Sequence, residues 1–305
     1  MTYTKDVSVI IINYNSSAYT IDCVSSVLEK TNPATSVEII IVDNNSRQEE
    51  YAILEAGLPE KDNIILVRSR MNTGFGGGNM YGAQFASGEY LLFLNNDTLL
   101  MNDCLSMHLD FHRSNAMTGI TSAQNYDQDG KFVVSFDHNK GLRKLLFGRS
   151  FLEKNYAATH PKRKKEHTDT IEPHFINGAF MFFKASVFGE IGGFDTNIFL
   201  YFEEMDVSHR LRQKGYRTFL LPQTKIVHYQ GGSSAKKGAI DREGLISYLY
   251  ITKKNYPYLK YLTIKYYLFF TFLIKPKKWD SLGIVFRSVC LDESLKQQQT
   301  YRYGQ

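Results

Sequence analysis

EYLLFLNNDT, residues Glu89–Thr98, runs apolar from Leu91 to Leu94 and then stops on Asn95, Asn96 and Asp97. A short apolar run bounded by turn residues reads as a strand buried on both faces. Asn and Asp suit a turn, so the polar stop could mean nothing more than that. The segments around it decide.

The first hundred residues alternate. VSVIIINYN (7–15), VEIIIVDNNS (37–46) and NIILVRS (63–69) read as buried strands, as does 89–94. Between them, residues 17–30 place Ile21, Val24, Val27 and Leu28 at helical spacing, and 49–58 and 77–87 also read as helices. This order predicts an α/β fold, a Rossmann-like and mostly parallel sheet with helices on both faces and right-handed crossovers. Three of the four strands end on polar side chains: Asn13 and Asn15, Asp43 to Asn45, and Asn95 to Asp97. In open α/β sheets ligands bind outside the carboxyl ends of the strands, so these ends mark a candidate site.

Beyond residue 100, 101–114 reads as helix and 140–168, with its run PKRKKEH, as a loop or mobile excursion. Residues 175–188 begin as strand and turn into helix, and 194–216 form a loop and then a helix. Residues 217–234 read as strand, turn and strand into a Gly/Ser stop, which places a boundary near 235. The expectation is a domain of residues 1–235 and a helical extension of 236–305. A chain of 305 residues, 43% hydrophobic, can bury one large core plus such an appendage.

Three scattered cysteines show no metal-binding spacing and no disulfide framework, which suits a reducing cytosol. The N-terminus passes straight into a strand, so no secretory signal is expected. Net charge is +5, yet residues 236–305 carry 13 Lys or Arg against five Asp or Glu. A basic end on a near-neutral body points to an anionic partner.

Four constellations carry chemistry. Asn72–Asn79, NTGFGGGN, follows the third strand, and its glycines and helix-start amides suit close approach to a phosphate. It matches neither a Walker loop nor a dinucleotide fingerprint. Asp97 is a candidate oxygen ligand for a hard divalent cation, with a diphosphate supplying further charge. Glu203, Glu204 and Asp206 open a helix after Tyr201 and Phe202; they either complement its dipole or supply a base whose pKa is raised by aromatic surroundings. His228 ends a strand before Gly231 and Gly232.

In this order, VSVIIINYNS, EIIIVDNNS, NTGFGGGNMYG, GEYLLFLNNDT, INGAFMFFKASVFGEIGGFD, YFEEMDVSHRLRQKGY and VHYQGGSS resemble family 2 glycosyltransferases, most closely the rhamnosyltransferase-like branch. The resemblance spans about residues 7–234. It implies the GT-A fold and transfer of a hexosyl or rhamnosyl group, with inversion, from a UDP-, dTDP- or GDP-linked donor. The acceptor it implies is a hydroxyl of a glycan or polyprenyl-linked molecule in cell-surface polysaccharide synthesis. Asp97 would bind Mg²⁺ or Mn²⁺ with His228. Asp43 would hold the nucleotide base, and Asn13 and Asn15 would line the nucleoside pocket. Asn72, Gly74 and Asn79 match the donor loop, and Gly178 and Ala179 the segment facing the sugar. Glu203 and Glu204 match the acidic pair, with Glu204 as base and Glu203 or Asp206 as alternatives. Asn95 and Asn96 stand where many members carry Asp or Pro, and Glu204 where most carry Asp. A non-catalytic nucleotide-sugar-binding relative with a weakened metal site is the competing reading.

Residues 245–279 mix eleven aromatic residues with lysines. Tyr258 to Ile274 is short for a membrane crossing, and its composition suits a helix lying on a membrane surface, a packed C-terminal helical pair or a homodimer contact. No nucleic-acid-reading module is present, so no nucleic acid partner is expected. The resulting location is cytoplasmic, peripheral on the inner face of the membrane.

Overall fold

The computed structural model describes residues 3–229, 237–287 and 290–302. The Gly/Ser stop and the boundary expected near 235 lie outside the described residues.

The first unit alternates as expected: β1 (Lys5–Asn13), α1 (Ser17–Lys30), β2 (Val37–Asp43), α2 (Gln48–Gly57), β3 (Ile64–Arg68), α3 (Gly74–Ala83) and β4 (Gly88–Asn95). Then follow β5 (Thr98–Leu100), α4 (Cys104–Ser114), β6 (Thr118–Tyr126), β7 (Phe132–Val133), β8 (Phe136–Asp137), α5 (Leu142–Phe147) and α6 (Arg149–Asn155). The chain continues through β9 (Phe175–Ile176), β10 (Phe180–Lys184), α7 (Ala185–Glu190), α8 (Glu203–Gln213) and β11 (Arg217–His228). Its last helices are α9 (Lys237–Asn255), α10 (Tyr258–Leu273) and α11 (Leu282–Arg287).

The main sheet runs β3-β2-β1-β4-β10-β6-β11-β5, with β7 beside β6. The β3-β2-β1-β4 half is parallel, and β10 enters antiparallel between β4 and β6. β4 is therefore central, with Leu92 and Phe93 inaccessible on opposite faces. Val9, Ile11 and Leu92 pack toward α1, α2 and α4; Ile10, Ile40 and Phe93 pack toward α3, α7 and α8. Each such side chain contributes roughly 1.5–3 kcal/mol on burial. A one-residue slip would invert every one of them, so the apolar run fixes the register. That register sets the polar ends of β1, β2 and β4 side by side.

Three expectations are corrected. The helix expected over 77–87 begins at Gly74 and ends at Ala83, so the whole glycine run lies inside α3, where it lets the helix approach the sheet closely: a Cβ on Gly78 would stand 2.6 Å from Ile12. The strand, turn and strand expected after 217 are one strand with an irregular register between Leu221 and Lys225, around Pro222, which has no amide hydrogen to donate. The 140–168 excursion holds two short helices hinged at Gly148, whose φ is 76°. The helices expected after 236 are present and pack on the body: Ile246, Leu249, Ile251, Ile264, Leu268 and Ile284 share one cluster with Phe175, Ile198 and Met205. Among the described residues, no helix is long and apolar enough to cross a membrane.

Candidate active site

At the carboxyl edge of β1, β2 and β4 lies a cavity of about 410 Å³. Of the residues nominated from sequence, Asn72, Gly74, Asn95, Asn96 and Asp97 line it, with Ile12, Asn44, Phe199, Leu200 and Leu295. Asn95 is pinned by its amide to the carbonyl of Ala179 at 2.9 Å. The Asn96 amide donates to Ser16 Oγ at 2.7 Å and Thr20 Oγ1 at 2.9 Å, which ties the end of β4 to the start of α1. Asp97 Oδ1 stands 3.3 Å from His228 Nε2, because β5 and β11 pair Thr98 with His228.

A second layer supports the cavity rather than lining it. Asn13 Nδ2 donates to Asp43 Oδ2 at 2.9 Å, and Asp43 Oδ1 accepts from the Ser46 amide at 3.1 Å and pairs with Arg68 Nε at 3.3 Å. Asp43, expected to face the nucleotide base, has no exposed surface. Asn15 and Asn45 adopt left-handed φ of 52° and 72°, a conformation Asn tolerates, so the turn reading of the strand ends applies to them. Asn79 is buried and donates to the Phe75 carbonyl at 3.0 Å; Gly178 and Ala179 lie beside Phe75 and Asn95 without lining the cavity.

The amides at the start of α3 are not open to phosphate as expected. Those of Thr73, Gly74 and Phe75 donate to Asn44 Oδ1, Asn72 Oδ1 and the Phe199 carbonyl at 3.1, 2.9 and 2.9 Å. Gly74 has a φ of 74°, and any Cβ there would meet Phe199 O. Asn44 organises this corner, its Nδ2 donating to Asn72 Oδ1 and the Gly74 carbonyl. The reading from sequence passed over it, although it stands in the polar run after β2.

The C-terminal segment closes one flank, and nothing in its sequence marks it for that place. Asn45 Nδ2 donates to Thr300 O at 3.3 Å and Arg302 N to Arg70 O at 2.9 Å. Glu243 of α9, itself buried, accepts from Ser294 Oγ at 2.8 Å and the Leu295 amide at 2.7 Å, which seats Leu295 in the cavity wall.

A second cavity, about 760 Å³, lies across the 199–204 segment. Phe199 and Leu200 face the first cavity; Tyr201, Phe202 and Glu204 face the second. Tyr201 and Phe202 both hold φ near 70°, which is strained for aromatic residues and forces the turn into α8. The three acidic residues then diverge. Glu204 is half-buried in the second cavity, and burial pushes its pKa up to about 7, with Lys140 opposing the rise. Glu203 is buried on the side of α9, where burial and then the neighbouring Glu204 raise its pKa well above the ordinary range. Asp206 has no exposed surface and is consumed by Arg210 Nη2 at 2.7 Å, Lys254 Nζ at 3.0 Å and Asn255 Nδ2 at 2.9 Å. It ties α8 to α9 and is not placed to act as a base.

No cluster of three or more His, Cys, Asp or Glu able to hold a metal occurs among the described residues. Asp97 and His228 nonetheless offer one carboxylate oxygen and one imidazole nitrogen at a spacing close to the ~3 Å between neighbouring donors on a small divalent ion. His228 Nδ1 is buried without a partner among the described residues. The pair fits an ion whose remaining ligands come from a diphosphate and water.

The family model for Glycosyl transferase family 2 matches residues 8–192. A poly(ribitol-phosphate) beta-glucosyltransferase of Bacillus spizizenii is 29% identical over 110 residues, covering 36% of this chain and 17% of that protein. The rhamnosyltransferase WbbL of Escherichia coli is 26% identical over 147 residues, covering 47% and 53%. The chain thus spans 17% to 53% of the length of these relatives. The mannosyltransferase PcManGT of Pyrobaculum calidifontis, solved with GDP-Man and Mn²⁺, superposes with a TM-score of 0.58 at 16% identity, covering 83% of this chain and 64% of that one. With its curled, mostly parallel sheet the fold is GT-A, and the chain belongs to glycosyl transferase family 2.

Proposed function

We propose that this chain transfers a sugar from a nucleoside-diphosphate donor, in the cavity beside Asp97, to an acceptor hydroxyl entering from the second cavity. The observation that carries the reading is the shared 199–204 wall, with the polar strand ends on one side and the Glu204 carboxyl on the other. A pKa of about 7 suits a general base near neutral pH. Glu204 takes the acceptor proton as the acceptor oxygen attacks the anomeric carbon from the face opposite the diphosphate. The carbon–oxygen bond to the diphosphate breaks, and the diphosphate leaves with the electron pair, which gives inversion. Asp97 and His228 would hold Mg²⁺ or Mn²⁺, which when bound offsets charge on the departing diphosphate. Asn95, Asn96 and Asn72 orient the donor, over the buried Asn13–Asp43–Arg68 layer that holds the strand ends in place. The donor nucleotide is UDP, dTDP or GDP, and the product belongs to cell-surface polysaccharide.

Glu204→Gln tests this. It is expected to keep nucleotide affinity and lose about 10²-fold or more in transfer rate. A rate within a few-fold of wild type would remove Glu204 from the mechanism.

Peripheral membrane contact belongs to the same reading. Leu259 and Phe270 of α10, and Ile274 just beyond it, are more than 60% exposed, beside Lys275, Lys277 and Lys278 in the sequence. Vesicles rich in anionic lipid should carry the protein upward in a flotation gradient, and serine at these three positions should abolish this. Equal flotation of both proteins would dismiss the surface.

A further inference from the structure

The second cavity is more basic than a neutral sugar acceptor requires. Lys140, Lys144, Arg149, Arg163 and Lys278 line it, against Asp137, Asp241 and Glu204. Asp137 alone serves several cations: Lys144 Nζ at 2.8 Å, Arg163 Nη1 at 3.7 Å and Arg149 Nε at 4.0 Å. Lys144 Nζ also donates to the His138 carbonyl at 3.0 Å and Arg163 Nε to the Phe136 carbonyl at 3.1 Å, but the single negative charge of Asp137 faces three positive ones. Arg149 Nε is buried with no hydrogen-bond partner among the described residues. Lys140 Nζ rests 4.2 Å over the Phe202 ring, and burial depresses the pKa of both Lys140 and Lys144. These partly buried cations, gathered around one carboxylate, form a site suited to a further anion. The cluster belongs to α5, α6 and the following loop, outside the strand ends that build the donor cavity. Leu245, Leu268 and Phe272 line the same cavity with an apolar surface.

We propose that this cluster binds a phosphate ester on the acceptor, anchoring it by charge so that its hydroxyl meets Glu204. The inference rests on the transferase reading and names the acceptor class within it. The anion would bridge Arg149, Arg163 and Lys144 and take over the role that Asp137 fills only in part. An acceptor whose phosphate carries a prenyl chain would also use the apolar wall; a soluble polyol or sugar phosphate would not.

The test is calorimetric titration of the full chain with sodium pyrophosphate and with geranyl diphosphate. Each is run with and without whichever of UDP, dTDP or GDP binds, so that the donor cavity is accounted for. Both anions are expected to bind with the nucleotide in place. Arg149→Gln/Arg163→Gln should weaken them roughly tenfold or more, the scale of lost charge-assisted hydrogen bonds. Lys164→Gln/Lys165→Gln, exposed on the same loop, should leave them unchanged. Asp137→Asn removes the internal counter-charge and should tighten them, a gain that misfolding cannot mimic. Tighter binding of geranyl diphosphate than pyrophosphate assigns a lipid-linked acceptor, and equal binding assigns a soluble phosphate ester. If anions bind only where nucleotide displaces them, or bind the double Gln variant as they bind wild type, the proposal is wrong. Nucleotide binding that persists in that case leaves the donor reading intact; its absence throughout would overturn that reading instead.

Discussion

Glu203, Glu204 and Asp206 stand within four residues of one another, yet one carboxyl faces a cavity, one is sealed against α9 and one is neutralised by Arg210 and Lys254. Successive helix positions turn by about 100°, so neighbours in sequence meet different surroundings. The acidic cluster was legible as a candidate base, with Glu204 preferred through the family resemblance, but the burial of Glu203 and the pairing of Asp206 were not, since both depend on a helix some forty residues further on. A base with a pKa of about 7 must be ionised to act. The ratio kcat/KM should therefore rise about tenfold per pH unit below 7 and level off above it, read from initial rates across buffers. A profile already flat from about pH 5.5 would assign the base elsewhere. Asp43 shows the opposite case. Its polarity was visible, but the Arg68 that neutralises it lies opposite in the β2–β3 register, and that pairing emerges only once the strands are aligned.

At the scale of elements, β1, β2 and β4 were readable because burial on both faces leaves an unbroken apolar signature; the edge strand β3, only partly buried, still keeps its apolar run, and β1 to β4 fall close to the expected ranges. Elements whose form depends on partners were not. Glycines that weaken an isolated helix read as a loop, whereas in α3 they permit contact with Ile12. The polar, lysine-rich 140–168 stretch hides two helices because its apolar side is short and faces residues distant in sequence. The α8–α9 junction provides a direct test. Asp206→Asn leaves Lys254 and Arg210 facing a neutral group and should cost roughly 3 kcal/mol, at the low end for a broken buried pair because Lys254 is about one-third exposed. Chemical denaturation measures this; a loss under about 1 kcal/mol would mean the helices are held by apolar packing alone.

Across the whole molecule, the charge imbalance of residues 236–305 marked the C-terminal part by composition, but it gave no sign of how firmly that part packs on the body. A single turn of α9 bridges the two cavities. Ile240, Asp241 and Gly244 line the second cavity, while Glu243 among them grips Ser294 and Leu295, the latter in the wall of the first. Glu243→Gln weakens that grip and should leave each ligand able to bind while removing any dependence of one affinity on the other, measured by titrating nucleotide with and without pyrophosphate. Unaltered dependence would assign the link to another element. Because such linkage is reciprocal, the shared helical turn bears on the sequence of events in turnover: whichever substrate arrives first reshapes the welcome for the second. Where binding equilibrates faster than transfer, initial rates should then show the apparent KM of each substrate changing with the concentration of the other, by the same factor whichever binds first.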